Sequence, residues 1–426
     1  MSPRNPATIA ARAGIAASTQ HHDVMPPLHL SANFAFTAFG EKGRYDYTRS
    51  GNPTRDVLAE TLAELEGGAG AVITASGLAA ITLLTLLLRE GDEMVAPLDC
   101  YGGTWRLFEQ LRLRRGLRTH WVDYSDSVAV TEALRGPVRL VWVETPSNPL
   151  LRTTDIQAVA DMAHARCALL VVDNTFLSPA LQNPIAFGAD FVLHSTTKLI
   201  NGHSDVVGGA VIAATKELHE EISFLANAFG LTGAPFDSWL TLRGLRTLNA
   251  RVRVQQDNAA AVAALCAQHP AVKAVHYPGL TRGAFINVAE GPTQRSLPCP
   301  VERAQIALVQ RQQRGGGTVV SIDLHGGEAA ARAFVAALTH FTLAESLGGV
   351  ESLVAHPASM THASMSAAAR ERAGIGPGLL RLSLGLEDSA DLLADVAAGL
   401  ARAAQDPATY CATSVGLASR PATCSG

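Results

Sequence analysis

The feature that most constrains the fold is an alternation of short apolar runs with longer helical patterns between residues 93 and 214. The apolar runs read EMVAPL, VRLVWVET, ALLVVD, DFVLH and GGAVIAA. Short runs of this kind are typical of strands that are covered on both faces, and the helical patterns between them supply the cover. The alternation therefore predicts βαβ units and a largely parallel sheet with helices on both sides.

The composition is that of a globular protein with more than one domain. The chain has 426 residues, of which 47% are hydrophobic and 17% are charged. This length and apolar content are enough for two or three sizeable cores. The charged fraction is below the average of roughly 25%, which suggests that part of the surface is covered by other subunits.

Charge, cysteines and hydropathy argue against several classes of function. The net charge is −4 and no Lys/Arg run stands out, so we expect no nucleic-acid partner. The cysteines and histidines lack metal-ligand spacing, which predicts no metal site and fits a reducing cytoplasm. The N-terminus lacks the apolar core of a secretory signal. Residues 67–88 are uncharged, but their glycines favour two buried elements and a turn over a membrane span.

We expect four segments along the chain. Their predicted bounds are 1–60 for an extended N-terminal arm, 61–250 for a large domain, 251–405 for a C-terminal domain and 406–426 for a disordered tail. A long helix that begins in RGLRTLNARV should link the two domains, and 278–300 should be a surface loop. At the end of the arm a helix is predicted, capped by Asn52, with Pro53 in its first turn and Gly67 as its stop.

Polar residues follow the predicted strands at one edge of the sheet. Asp173 ends ALLVV, and Lys198 follows the next strand within HSTTKLINGHSD. The turn at Ser76 and Gly77 begins a helix, whose free N–H groups can bind a phosphate. Because ligands collect at the carboxyl ends of parallel strands, we expect Asp173, Lys198 and this turn to lie close together.

Each of these features also has an ordinary structural explanation. Glycine turns into helices are common, an Asp at a strand end is often a cap, and a lone lysine usually faces solvent. Together, however, they supply a phosphate site, a carboxylate for a pyridinium nitrogen and an amine for a Schiff base. Burial and a neighbouring cationic ring would both favour the neutral amine of Lys198.

Longer motifs carry a family resemblance. They read YTRSGNPT, DCYGG, ETPSNPL, VVDNTFLSPALQNP, HSTTKLINGHSDVVGG, TLAESLGGVESL, MTHASM and LLRLSLGLED. Over about residues 8–404 the chain resembles the Cys/Met-metabolism family of pyridoxal-phosphate enzymes. The resemblance implies an α/β protein of fold type I, like aspartate aminotransferase, with a mostly parallel central sheet and a smaller C-terminal α/β domain.

The same resemblance implies a site for pyridoxal 5′-phosphate. Lys198 matches the lysine that forms the Schiff base and moves protons, and Asp173 the partner of the pyridine nitrogen. Tyr101 matches the tyrosine that stacks on the ring and helps proton transfer, so Lys198 and Tyr101 are the expected catalytic residues. The residues expected to bind the cofactor are Tyr47, Arg49, Gly77, Leu78, Asp173, Ser195, Thr197 and Lys198. Tyr47 and Arg49 match a pair that reaches the neighbouring subunit's cofactor, which implies a homotetramer, a dimer of dimers with shared sites.

Small amino-acid substrates are expected at the same place. Arg381 matches the clamp for the substrate α-carboxylate, where a planar bidentate donor outperforms lysine. Glu345 could orient the amino end of a cysteine-derived substrate, and Arg106 could supply positive charge for a distal carboxylate. The residues expected to contact substrate are Asp46, Arg106, Asn148, Glu345, Ser346 and Arg381.

The reaction implied is a replacement at the γ-carbon that joins O-succinylhomoserine and cysteine to give cystathionine and succinate. FLSPALQNP, LTGAPFDSWL and RGLRTL are most similar to bacterial members with this activity. Glu345, Leu347 and Gly103 differ from the residues usual in bacterial β-lyases and methionine γ-lyases. Ser50 agrees instead with members that eliminate at the γ-carbon of cystathionine. That elimination, sulfhydrylation of O-succinylhomoserine, and a non-catalytic binding protein of the same fold remain the alternatives.

Overall fold

A seven-stranded sheet forms the centre of the larger part of the molecule. The computed structural model describes residues 4–405 except 16, 19, 279–284 and 288–299. The strands of this sheet are β1 (Gly70–Thr74), β2 (Glu93–Pro97), β3 (Arg118–Val122), β4 (Val138–Glu144), β5 (Leu169–Asp173), β6 (Phe191–His194) and β7 (Gly209–Ala213). Their order in the sheet is β1-β7-β6-β5-β4-β2-β3.

The strand directions confirm the predicted parallel sheet with one correction. β6, β5, β4, β2 and β3 run parallel to one another, whereas β7 runs antiparallel to both β6 and β1. The interpretation of GGAVIAA as part of a parallel βαβ unit was therefore wrong. The connection from β6 to β7, residues 195–208, contains no crossover helix, and a parallel pair needs such a crossover.

Helices cover both faces of this sheet, as the apolar strand pattern predicts. The helices up to residue 266 are α1 (Pro6–Ala11), α2 (Pro53–Glu66), α3 (Gly77–Thr85), α4 (Gly102–Arg115), α5 (Ser127–Ala133), α6 (Ile156–His164), α7 (Ser178–Leu181), a 3₁₀ helix (Pro184–Phe187), α8 (Lys216–Phe229), α9 (Pro235–Leu245) and α10 (Leu248–Cys266), of which α10 packs on the second sheet described below. Along β4, Val141 and Val143 pack in the layer of α2 and α6, while Leu140 and Trp142 pack in the layer of α3, α4 and α8.

The predicted boundaries of α2 agree with the structure. The Asn52 side chain accepts hydrogen bonds from the backbone N–H of Thr54 and Arg55, Pro53 is the first helical residue, and Gly67 has the left-handed φ of 77°. The uncharged stretch 67–88 forms β1 and α3, two buried elements with a turn between them. Within the described part of the chain, no helix has the length and apolar character needed to cross a membrane.

The predicted linking helix is divided in two. α9 ends at Leu245 and α10 begins at Leu248. The Gly244 carbonyl, which a continuous helix would pair with the Leu248 N–H, instead accepts from Thr247 N at 3.1 Å and from Arg251 Nη2 at 2.8 Å. Arg251 also donates to Leu199 O, so the break fixes the start of α10 against the segment that follows β6.

A second sheet lies C-terminal to α10. Its strands are β8 (Val272–His276), β9 (Phe285–Asn287), β10 (Val319–Leu324), β11 (Thr342–Leu343), β12 (Leu353–Ala355) and β13 (Leu379–Ser383), in the order β11-β12-β13-β10-β8-β9. The remaining helices are α11 (Pro300–Gln312), α12 (Gly327–Ala337), α13 (Ala367–Ala373) and α14 (Ser389–Ala404). α10, α12 and α14 share a core with this sheet. Most of the predicted loop at 278–300, and all of the predicted tail at 406–426, lie outside the described residues.

Candidate active site

A cavity of about 300 Å³ lies at the carboxyl edge of the large sheet. The ends of β4 and β5 and the segment after β6 supply one wall, and residues from the second sheet supply the other. Of the predicted site residues, those that line it are Gly77, Leu78, Tyr101, Asn148, Asp173, Ser195, Thr197, Lys198, Glu345, Ser346 and Arg381. The fold therefore brings together residues as far apart in the chain as Gly77 and Arg381.

The first turn of α3 borders the cavity. Ser76 caps the helix, and its hydroxyl accepts from Ala79 N at 3.0 Å. A Cβ at Gly77 would lie 2.9 Å from the Cβ of Ser195, so glycine allows the turn to approach the segment after β6. The N–H groups of Gly77 and Leu78 have no acceptor within the helix, which makes this turn suited to an anion.

Lys198 lies in a tight turn that follows β6. Backbone hydrogen bonds from Lys198 N to Ser195 O and from Gly202 N to Lys198 O hold the turn. The ammonium donates to Ser346 Oγ at 2.8 Å. Burial, and secondly the positive charge of Arg381, lower the pKa of Lys198 to about 8. The neutral, nucleophilic form of this amine is therefore much more populated near neutral pH than in an ordinary lysine.

Two carboxylates stand side by side at the strand ends. Glu144 and Asp173 are paired residues on β4 and β5, and both line the cavity. Burial raises the pKa of each, and the charge of Asp173 raises that of Glu144 further. Neither has an ion-pair partner among the residues that the structure describes. A protonated ring nitrogen beside Asp173 would supply the missing positive charge.

Glu144 also holds the start of α4. Its Oε2 accepts the backbone N–H of Tyr101 at 2.8 Å, and Tyr101 places its ring in the cavity. A Cβ at Gly103 would overlap the Tyr101 ring, so only glycine at this position allows the ring to lie where it does. Burial, and secondly the charge of Glu345, raise the pKa of the Tyr101 phenol.

Arg381, on β13, is buried in the wall opposite the large sheet. Its Nη1 donates to Asn148 Oδ1 at 2.8 Å and its Nη2 to Ser346 O at 2.9 Å. Its Nε is buried without a hydrogen-bond partner among the described residues, and burial lowers the pKa of Arg381 to about 10. A guanidinium held in this way is prepared for an incoming anion.

Ser346 connects the lysine and the arginine. Its hydroxyl accepts from Lys198 Nζ, and its carbonyl accepts from Arg381 Nη2. Ser346 makes these two contacts with a backbone φ of 112°, a value that non-glycine residues rarely adopt. Strain of this kind concentrates at functional sites.

Four predicted residues do not line the cavity. Asp46, Tyr47 and Arg49 lie in the N-terminal arm, where Arg49 covers the Tyr47 ring and its Nε donates to Asn227 Oδ1 at 3.0 Å. Asp46 accepts from Ser50 Oγ and Tyr47 N, and these hydrogen bonds lower its pKa to about 2. Arg106, in α4, lies outside the cavity wall, although its charge acts to lower the pKa of Tyr101.

The structure also adds cavity residues that the sequence did not single out as site residues. Among them are Glu144, Thr175, Phe176, Val207 and Thr361. Glu144 was visible as a polar strand end next to Asp173. Thr361 comes from the segment between β12 and α13, and only the MTHASM motif marks that segment.

Known proteins are similar to this chain in sequence and in fold. A family model described as Cys/Met metabolism PLP-dependent enzyme matches residues 7–401. Cystathionine gamma-synthase of Escherichia coli K12 is 50% identical over 93% of this chain and 98% of its own length. Cystathionine gamma-lyase of Dictyostelium discoideum is 43% identical over 91% of this chain and 95% of its own length.

Solved structures agree with these sequence matches. Cystathionine gamma synthase from Xanthomonas oryzae pv. oryzae, in complex with aminoacrylate and cysteine, is 56% identical and superposes with a TM-score of 0.87, covering 95% of this chain and 99% of that chain. The large mixed sheet and the smaller C-terminal sheet thus form the predicted fold type I arrangement. The chain belongs to the Cys/Met metabolism family of PLP-dependent enzymes.

Proposed function

We propose that this chain is a cystathionine γ-synthase, which joins O-succinylhomoserine and cysteine to give cystathionine and succinate. One observation carries the chemistry: a lysine of lowered pKa, a buried carboxylate without a counter-charge and an anion-ready guanidinium surround one cavity. The synthases of E. coli and X. oryzae, at 50% and 56% identity, support the choice of reaction.

The residues around the cavity fit pyridoxal 5′-phosphate. We assign the phosphate to the α3 turn with the hydroxyls of Ser195 and Thr197, the pyridine nitrogen to Asp173, and the aldehyde to Lys198. The Tyr101 ring would stack on the cofactor. When bound, the cofactor supplies an electron sink for a carbanion at the substrate α-carbon.

Lys198 moves protons in this proposal. Its neutral amine would accept the α-proton of the amino-acid substrate. The hydroxyl of Ser346, 2.8 Å from Nζ, keeps the amine directed toward the cavity wall formed by the second sheet. General acid–base catalysis of this kind contributes typically about 10²–10⁴-fold to a rate.

Arg381 binds the substrate α-carboxylate. Its contacts to Asn148 and Ser346 fix the plane of the guanidinium and leave the Nε edge free. A carboxylate can meet two parallel N–H groups on such an edge, which fixes direction as well as distance. Glu345, on the same wall, is placed to attract the amino group of the second substrate.

γ-Elimination of cystathionine is the second candidate. Ser50 and the γ-lyase relative at 43% identity favour it. The deciding experiment compares cystathionine formation from O-succinylhomoserine and cysteine with release of 2-oxobutanoate from cystathionine. We expect the first reaction to be faster, and a much faster second reaction would replace the synthase with the lyase.

We further propose that the arm, residues 1–60, completes the site of a neighbouring subunit in a cytoplasmic homotetramer, with residues 61–250 as the cofactor domain and 251–405 as the C-terminal domain. Tyr47 and Arg49 lie outside the cavity of their own chain. The arm also exposes large apolar side chains: Val24, Leu30, Phe36 and Phe39 are each at least half exposed. Such a surface is typical of a subunit interface. Asp46 would then contact substrate in the neighbour's site.

Subunit mixing tests the shared site. The K198A and R49A variants should each be nearly inactive, because each removes one half of every site. After dissociation and random reassembly, about a quarter of wild-type activity should return, since one site in each mixed dimer regains both side chains. No recovery, with mixed dimers verified by mass, would place Arg49 outside the partner's site.

A further inference from the structure

The segment between β12 and α13 links the second sheet to the cavity wall. His362, in this segment, is fully buried and does not line the cavity. Its Nε2 lies 3.0 Å from Asn148 O, and its Nδ1 lies 2.8 Å from Thr361 Oγ1. Both ring nitrogens are therefore engaged, and the backbones of Asn148 and Cys100, both in the large-sheet half of the molecule, act on the ring.

The partners determine where the ring proton lies. A carbonyl oxygen can only accept, so Nε2 carries the proton and donates it to Asn148. Nδ1 is then an acceptor, and the Thr361 hydroxyl donates to it. Burial, and secondly the charge of Arg381, lower the pKa of His362 to about 4, so the ring stays neutral at physiological pH.

Asn148 is held from two sides. Its carbonyl accepts from His362, and the carbonyl of the next residue, Pro149, accepts from Ser321 Oγ at 2.6 Å. Ser321 is the cross-strand partner of Arg381 on β10 and β13. The side chain of Asn148 in turn accepts from Arg381 Nη1 at 2.8 Å. A short backbone segment with two anchors therefore supports one of the two hydrogen bonds that orient the guanidinium.

We propose that His362 is a positioning residue for the carboxylate clamp: through Asn148 it fixes the orientation of Arg381 without touching substrate or cofactor. The inference rests on the proposed role of Arg381 in binding the α-carboxylate. Without the His362 hydrogen bond, a buried carbonyl loses its partner and the Asn148 amide loses its fixed position. The guanidinium then keeps only the Ser346 carbonyl as a fixed acceptor, and its free edge is less well directed.

Two amide substitutions test the hydrogen bonds of the two ring nitrogens separately. The amide nitrogen of Gln can take the place of Nε2, so H362Q can keep the donor to Asn148. The shorter amide of Asn can take the place of Nδ1, so H362N keeps a partner for Thr361 and loses the donor. Both variants bury a neutral amide, which makes each the control for the other.

We expect H362N to raise the KM for O-succinylhomoserine on the order of tenfold, with a smaller change in kcat, because the clamp acts on substrate binding. H362Q should restore KM to within about threefold of wild type. The visible absorbance of the bound cofactor should be unchanged in both variants. Equal KM values for the two variants, or a loss confined to kcat, would overturn the assignment.

Two further measurements keep the proposal falsifiable whatever the activity or folding of H362N. In ¹⁵N-labelled holoenzyme the His362 ring should show a protonated Nε2 and an unprotonated Nδ1; the opposite tautomer would contradict the proposal. S321A removes the second anchor and should raise KM in the same direction by a smaller factor, so an unchanged KM would also contradict it.

Failure of the proposed function would be recognised separately. O-succinylhomoserine binding can be followed by the change in cofactor absorbance even if no cystathionine forms. If the wild type binds the amino acid but makes no cystathionine, and H362N still weakens this binding relative to H362Q, the reaction assignment fails and the role of His362 stands.

Discussion

Both faces of the large sheet carry polar residues at the same edge, but these residues have protein partners on one face and lack an ion-pair partner on the other. On the cavity face, Glu144 and Asp173 lie side by side without an ion-pair partner in the described residues. On the opposite face, His194 and Asn174 converge on Glu66: His194 Nε2 lies 2.7 Å from Glu66 Oε1, and Asn174 Nδ2 donates to the same oxygen at 2.9 Å. Successive residues of a strand point to opposite faces, so Asp173 and Asn174 serve different layers.

The difference separates what the sheet needs to fold from what it needs to function. The network around Glu66 pairs its carboxylate with His194 Nε2 and Asn174 Nδ2, and Asn174 also donates to Gln182 O at 2.9 Å, while His194 Nδ1 is buried without a hydrogen-bond partner among the described residues. It fixes the ends of β5 and β6 and the helix that ends at Glu66. The cavity face instead carries Glu144 and Asp173, whose pKa values are raised chiefly by burial and which have no ion-pair partner among the described residues, so a cationic ligand group can serve as their partner.

The largest effect is expected from K198A on the cavity face. This variant removes the amine that attaches the cofactor and moves protons, so turnover should fall by at least about 10²–10⁴-fold. The visible absorbance that borohydride abolishes in the wild type should disappear, while the fold is retained. K216A is the matched control, because Lys216 is an exposed lysine at the start of α8. Near-normal turnover of K198A would remove Lys198 from the mechanism.

On the opposite face, E66A should damage stability rather than chemistry. The substitution leaves the ring of His194 and the amide of Asn174 without their buried acceptor, so the free energy of unfolding should fall by about 3 kcal/mol. Activity per folded molecule should change little. Chemical denaturation measures the first quantity, and E64A is the control, since Glu64 forms an exposed pair with Arg4. An inactive E66A of normal stability would break the distinction between the two faces.

R381K should have a smaller effect that is confined to substrate binding and orientation. Lysine keeps the charge but not the planar pair of donors, and hydrogen bonds to charged groups contribute about 1.5–3 kcal/mol. We therefore expect kcat/KM for O-succinylhomoserine to fall by about 10–10²-fold. Cofactor absorbance should be retained. Loss of the cofactor in R381K would show that Arg381 supports the cofactor face instead.

The cavity face could be predicted from the sequence where its residues follow consecutive strands. Asp173 and Lys198 flank β5 and β6, and the parallel order of these strands follows from the helical patterns between them. The direction of β7 could not be predicted from apolar runs alone, because an apolar run does not define strand direction. The direction follows from the helix-free connection of residues 195–208. The division of α9 from α10 depends on Arg251, whose capture of the Gly244 carbonyl is a tertiary contact.

The sequence contains no local pattern that predicts the Glu66 network or the cavity wall formed by the second sheet. Glu66 reads as the last residue of an amphipathic helix, and its partners His194 and Asn174 lie 128 and 108 positions away. Arg381 was identified through the family resemblance, and neither Asn148 nor Thr361 could be placed beside it by periodicity. These contacts join different elements across the molecule, and periodicity informs only on the face that each element buries.

The smallest effect, and the finest test of the cavity face, concerns the pH dependence of cofactor uptake. With its pKa lowered to about 8, Lys198 is neutral in about one molecule in ten at pH 7, against about one in three thousand for an ordinary lysine. Raising the pH deprotonates the ammonium, so the rate at which apoenzyme attaches the aldehyde should rise with pH, reach half its maximum near pH 8 and level off above that pH. Stopped-flow absorbance measures this rate.

The variant R381M sharpens the same measurement. The charge of Arg381 is the second cause of the lowered pKa, after burial. Methionine removes this charge and replaces it with an apolar side chain of similar length. The pKa of Lys198 should then rise, so the rate should level off at a higher pH. A plateau that stays at the same pH would assign the whole shift to burial, and a rate that climbs steadily through pH 10 in the wild type would show that Lys198 behaves as an ordinary surface lysine.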